Sequence, residues 1–117
     1  MSFMFENLHV YQKSLNFAEK VSNITETFPR GSYYIADQFN RASLSICLNI
    51  AEGNGKFHKN DRKQFFYISR GSVNECVPLI ELIYRKNFID DNKRQELREE
   101  LAVISKMLSG HIKGLDS

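Results

Sequence analysis

The strongest constraint on this chain is that apolar residues recur at helical spacing four times, between short breaks, and nowhere alternate with polar ones long enough to make a strand. That pattern predicts an all-α fold. The first segment spans about 8–28. It carries one seam of Leu8, Tyr11, Leu15 and Ala18 and another of Val10, Phe17, Val21, Ile24 and Phe28. It should stop before Pro29, because the residue ahead of a proline is pushed out of the helical region. The second, about 32–53, is built on Ile35, Phe39, Ala42, Ile46 and Ile50 and meets stop signals at Gly53 and Gly55. Gly53 suits the left-handed position past a helix end. The third, about 60–86, opens at the N-cap types Asn60 and Asp61 and contains Pro78. The apolar period survives across that proline, which predicts a bend rather than an ending. The fourth, about 91–112, follows Asp90 and has only the narrow stripe Leu97, Leu101, Ile104, Leu108 and Ile112, so it is expected on the outside. Short connections between helices of this length predict an antiparallel up-down-up-down four-helix bundle, a single domain over residues 1–117.

The apolar faces are wider than one four-helix core requires. The third helix reads as two stripes, Phe65, Ile68, Ser72, Cys76, Leu79 and Ile83 beside Phe66, Val73, Val77, Ile80 and Tyr84. In the second helix Leu44 and Leu48 lie off the main face, one turn apart. Surplus of this kind predicts self-association, with Leu44, Leu48, Phe66, Val73, Val77 and Tyr84 at the interface of a homo-oligomer.

Between the second and third helices lies GNGKFHKN. A phosphate-cradling loop follows a strand, opens a helix and has Ser or Thr after its Gly-Lys. Here the glycines follow a helix and Phe57 follows Lys56, so the loop is expected to be a helix ending, with Lys56 complementing the dipole. Yet Lys56, His58, Lys59, Arg62 and Lys63 cluster against one acid, Asp61, and such a loop can grip a nucleic-acid backbone. The whole chain gives no such signal: 16 basic against 14 acidic residues leave a formal charge of +2. Two expectations therefore stand: an RNA- or DNA-binding protein, or a protein-interaction scaffold with an inert loop.

Chemistry is not expected. Di-iron bundles need two Glu-x-x-His motifs, and only Glu6 to His9 has that spacing. No histidine has a nucleophile partner or the upstream arginine of HEPN-type ribonucleases, so the reading is of a nonenzymatic protein without catalytic residues, metal or cofactor. Cys47 and Cys76 sit in apolar segments without ligand spacing and are expected to be reduced core residues. With no signal-like or membrane-spanning run, the expected location is the cytoplasm. Asn49 borders the apolar face between Ile46 and Ile50, and a core amide of this kind often fixes register. Arg70 and Glu75 are expected to reach across to Gln38 and Arg41 on the second helix.

LHVYQKSLNFAEKV, then QFNRASLSICLNIAEGNG, then RGSVNE together resemble the four-helix-bundle family first noticed in intervening sequences of bacterial 23S rRNA genes. The resemblance covers about residues 5–85. It implies antiparallel four-helix subunits assembled as homopentamers, and a relationship to the accessory variability protein of diversity-generating retroelements, which binds a reverse transcriptase and nucleic acid through a basic surface. By matching position, Asn49, Glu52, Gly53, Arg70, Gly71, Ser72 and Glu75 are family-marker residues. Their own chemistry reads as a helix end, a close helix contact at Gly71 and a polar layer.

Overall fold

A computed structural model of the chain describes residues 1–116; Ser117, the last residue of the expected domain, lies outside the described residues. Among them are a short 3-10 helix, Met4–Asn7, and four α-helices: α1 (His9–Thr25), α2 (Tyr33–Asn54), α3 (Lys59–Arg85) and α4 (Asp91–Leu115), with no strand. The 3-10 turn, which has no apolar period to announce it, is held by the Phe3 N–H donating to Glu6 Oε1 at 2.7 Å.

Each helix contributes to one core. Val10, Phe17 and Val21 of α1, Phe39, Ile46 and Ile50 of α2, Cys76, Ile80 and Ile83 of α3, and all five residues of the α4 stripe are buried. Phe17 meets Phe39 edge to face, ring centroids 6.4 Å apart. Burying one such side chain stabilises by roughly 1.5–3 kcal/mol, so these residues dominate the folding energy.

The ends of the elements follow local hydrogen bonding. Helix α1 stops at Thr25, three residues short of expectation, because the Thr25 and Thr27 hydroxyls donate to the carbonyls of Ser22 (3.0 Å) and Ile24 (2.7 Å), in competition with the helix ladder. Thr25 Oγ1 also accepts from Asn40 Nδ2 of α2 at 2.9 Å, which pins the ending in place. Phe28, past the helix, covers the end of the core against Phe88 at 5.0 Å.

At the end of α3, Asn87 takes φ 64°, its N–H donates to the Tyr84 carbonyl (2.9 Å) and the Phe88 N–H to the Ile83 carbonyl (3.1 Å). This is a Schellman ending with asparagine in the left-handed position. Asp90 then caps α4, its Oδ1 accepting from the Lys93 N–H at 2.8 Å. Pro78 does not end α3: the helix runs through it, and Asn74, whose carbonyl loses its partner, is exposed to water.

Pairing between helices is specific. Across α2 and α3, Arg41 meets Glu75, Ser45 Oγ meets Ser72 Oγ at 2.9 Å, and Ser69 Oγ donates to the Ile46 carbonyl at 2.8 Å. Across α3 and α4, Lys63 meets Asp116, the C-cap of α4, Arg70 meets Ser109, and Glu81 accepts from Arg94 and Arg98. Lys20 of α1 bonds Glu100 of α4 at 2.9 Å.

The two stripes of α3 are arranged differently from expectation. Phe66 and Val73 are each 2% exposed, inside this chain's own core, and so cannot face another copy. Val77 and Tyr84 are half-buried towards α4, with the Arg94 guanidinium 4.7 Å from the Tyr84 ring centroid. The core face of α3 includes Ser69 and Ser72, which are buried with their hydroxyls bonded to carbonyls. Counting only apolar residues shifts the face towards Ile68, which is exposed. Of the six expected interface residues, Leu44 and Leu48 remain outward, 47% and 57% exposed.

Candidate nucleic-acid interface

The basic loop begins where α2 ends, and Gly53 fixes how it leaves. Gly53 is inside α2 and buried, without a positive φ, so its expected left-handed role past the helix end is corrected by packing. A Cβ there would stand 2.9 Å from Phe65 Cβ and 3.2 Å from the Arg62 carbonyl, so glycine lets the start of α3 lie directly on the end of α2. Gly55 closes the helix, its N–H donating to the carbonyls of Ala51 (3.3 Å) and Glu52 (3.2 Å).

Of the five expected binding residues, the structure brings four to the outer side. Lys56 is 3.7 Å from Glu52 and stands 5.2 Å over the Phe65 ring. His58 is the exposed N-cap of α3 and touches Phe57 edge-on at 5.2 Å. Lys59 is exposed, and Lys63 bonds Asp116, a contact that raises the ammonium's pKa through the hydrogen bond and the carboxylate charge. Arg62 departs from this surface. Its Nε is buried without a partner, and its side chain lines a cleft at the end of the molecule.

Other residues join the surface that the loop alone does not predict. Arg70 donates to Ser109 Oγ at 3.1 Å and lies 5.0 Å over the ring of Tyr67, itself exposed. Lys106 and Lys113, three residues before and four after Ser109, are exposed on the same side of α4 by helical spacing. Phe57, 92% exposed, stands in the loop. Cations interleaved with exposed aromatic rings can hold phosphates and stack bases. The spacing of Lys59, Lys63, Tyr67 and Arg70 was available in the sequence; which face of α4 adjoins them is decided only by packing.

The marker residues separate into distinct roles. Asn49 Nδ2 donates to the Ser45 carbonyl (2.7 Å) and Oγ (2.9 Å), extending the Ser45–Ser72 contact into a polar seam between α2 and α3. Glu75 reaches Arg41 across that seam, whereas Arg70 turns the other way, towards α4. At Gly71 an added Cβ would meet nothing within 4 Å, so the expected close helix contact there is absent. Glu52 is exposed beside Lys56. Cys47 and Cys76 are free and buried, and burial pushes the Cys76 thiol up to about 12. Among the described residues no group of His, Cys, Asp and Glu is arranged to hold a metal ion, and no helix is long and apolar enough to cross a membrane.

The arrangement of helices is shared with a crystal structure of a protein of unknown function from the S23 ribosomal protein family of Bacteroides thetaiotaomicron. The TM-score is 0.82 at 25% identity, over 89% of this chain and 98% of that one. The pattern of the 23S rRNA-intervening sequence protein family matches residues 6–110, and the chain belongs to that family. No curated protein matches it.

Proposed function

We propose that the chain is a nonenzymatic, homo-oligomeric, antiparallel up-down-up-down four-helix bundle of the cytoplasm. It binds RNA, alone or within a ribonucleoprotein partner containing a reverse-transcriptase-type protein, through the outer side of α3 and α4 and the loop before them. The observation that carries the binding half is the shared surface of Lys59, Lys63 and Arg70 on α3 with Lys106 and Lys113 on α4, interleaved with Tyr67. The antiparallel order is supported by the interhelical pairs, in which rising numbers on one helix meet falling numbers on the next. Assembly is supported by Leu44 and Leu48, which point outward beside Leu15, also exposed. Five copies, as the family resemblance implies, would repeat the basic face around a ring and multiply a modest patch.

One observation favours the scaffold reading instead: Lys56 and Lys63 already hold carboxylates of their own chain. The test is binding of a fluorescent single-stranded RNA across a salt series, with duplex DNA in parallel. Lys59, Lys63 and Lys113 changed together to Ala should weaken binding and make it less salt-sensitive, by about 0.7 in log–log slope per lost phosphate contact. Equal binding by variant and wild type, or none by either, selects the scaffold.

A further inference from the structure

We propose that the cleft closing one end of the bundle binds a small amphipathic organic anion, a carboxylate with an apolar body, between Arg62 and His111. The cleft has a volume of about 570 Å³ and is framed by Leu8 ahead of α1, the last turn of α2, the first turns of α3 and the last turns of α4. That volume is in the range of small-molecule sites. Its apolar walls are Phe66, which belongs to the core, with Leu8, Met107 and Leu115, and the amide of Asn54 joins them. Among the described residues its ionisable lining is Arg62 and His111, with no carboxylate. Asp116, next in the chain to Leu115, is bonded to Lys63.

Arg62 is the unusual group. Its Nε is buried with no acceptor, the one side-chain nitrogen or oxygen in that condition among the described residues. By contrast Arg41, Arg94 and Arg98 each hold a carboxylate. Arg62 brings a positive charge to the lining of the cleft, and a carboxylate that meets a guanidinium edge forms two charge-assisted hydrogen bonds. The backbone of Arg62 is fixed before any ligand arrives: its N–H donates to the His58 carbonyl at 3.0 Å, and its own carbonyl lies against Gly53. His111 lies beside Phe66 with ring centroids 5.7 Å apart, so cation-capable and apolar groups adjoin on one wall. On the α4 wall Gly110 leaves room, since an added Cβ there would meet nothing within 4 Å. The apolar walls select against a bare hydrated ion, and the cation selects against a neutral apolar molecule.

The test is amide NMR titration of the full chain with octanoate, octanol and inorganic phosphate. Octanoate should give saturating shifts at Phe66, Gly110 and His111 and bind about tenfold more tightly than octanol, the worth of one charge-assisted hydrogen bond. Phosphate should leave those amides unmoved. Arg62→Met should reduce octanoate to the level of octanol, and Gly110→Leu, which fills the open space, should abolish both. The proposal is overturned if octanoate and octanol bind alike, if phosphate matches octanoate, if shifts fall elsewhere or are absent, or if Gly110→Leu binds as wild type. Should Arg62→Met fail to fold, Gly110→Leu and the three-ligand comparison still decide.

Discussion

Gly53 is the residue on which both candidate sites depend, because its missing side chain brings the start of α3 against the end of α2. Gly53→Ala should cost roughly 1–3 kcal/mol by overpacking, since the opposing atoms are a Cβ and a backbone carbonyl that cannot swing away; urea unfolding measures this. Lys63 gives a test in the other direction. Asp116→Asn removes the carboxylate that holds it, and should strengthen RNA binding and steepen its salt dependence by about 0.7 in log–log slope; weaker binding would mean that Asp116 orders the surface rather than masking it. Cys76 supplies a pH signature. Between its ordinary 9.0 and about 12 the unfolded thiol has lost its proton while the folded one keeps it. The unfolded state then binds fewer protons, so stability is fully present below pH 9 and falls above it by up to roughly 1.4 kcal/mol per pH unit. Cys76→Ala should flatten that decline in urea unfolding between pH 8 and 10.

Among the elements, α3 shows what a linear sequence carries and what it does not. Its existence and length were legible because the apolar period continues across Pro78, and the exposed position of that turn explains why the proline is tolerated. Its rotation was not legible. Ser69 and Ser72 complete the buried face, bonded to carbonyls, so polar residues sit where an apolar count expects none. The loop's cluster of cations was legible as composition, whereas the partners of Lys63 and Arg70, Asp116 just past α4 and Ser109 on it, lie far along the chain and appear only on packing. Likewise the cleft around Arg62 joins four separate segments and has no local motif. The α3–α4 turn offers a direct test of the Schellman ending. Asn87→Ala keeps the Cβ at φ 64° but removes the short polar side chain that tolerates it and should cost about 1 kcal/mol, while Asn87→Gly should be tolerated; thermal melts of the two variants measure the difference.

At the scale of the whole molecule, the core is complete within one chain, so the proposed assembly has to use what remains outside it. Leu44, Leu48 and Leu15 form an outward apolar surface on α1 and α2, away from the basic side of α3 and α4. Under the proposed assembly such a division would leave the basic side uncovered. Leu44→Asp with Leu48→Asp should therefore lower the mass in solution without lowering the folded chain's helicity, because neither residue is part of the core. A mass unchanged by both substitutions would place the contact elsewhere. The central claim, an oligomer that presents a basic face to RNA, is tested most directly by sedimentation velocity of the protein with a fluorescent single-stranded RNA at low and near-physiological salt. The expected result is RNA travelling with a multi-copy protein species at low salt and progressively released as salt rises. RNA sedimenting alone at both salt levels, beside an intact oligomer, would contradict the claim and leave a scaffold.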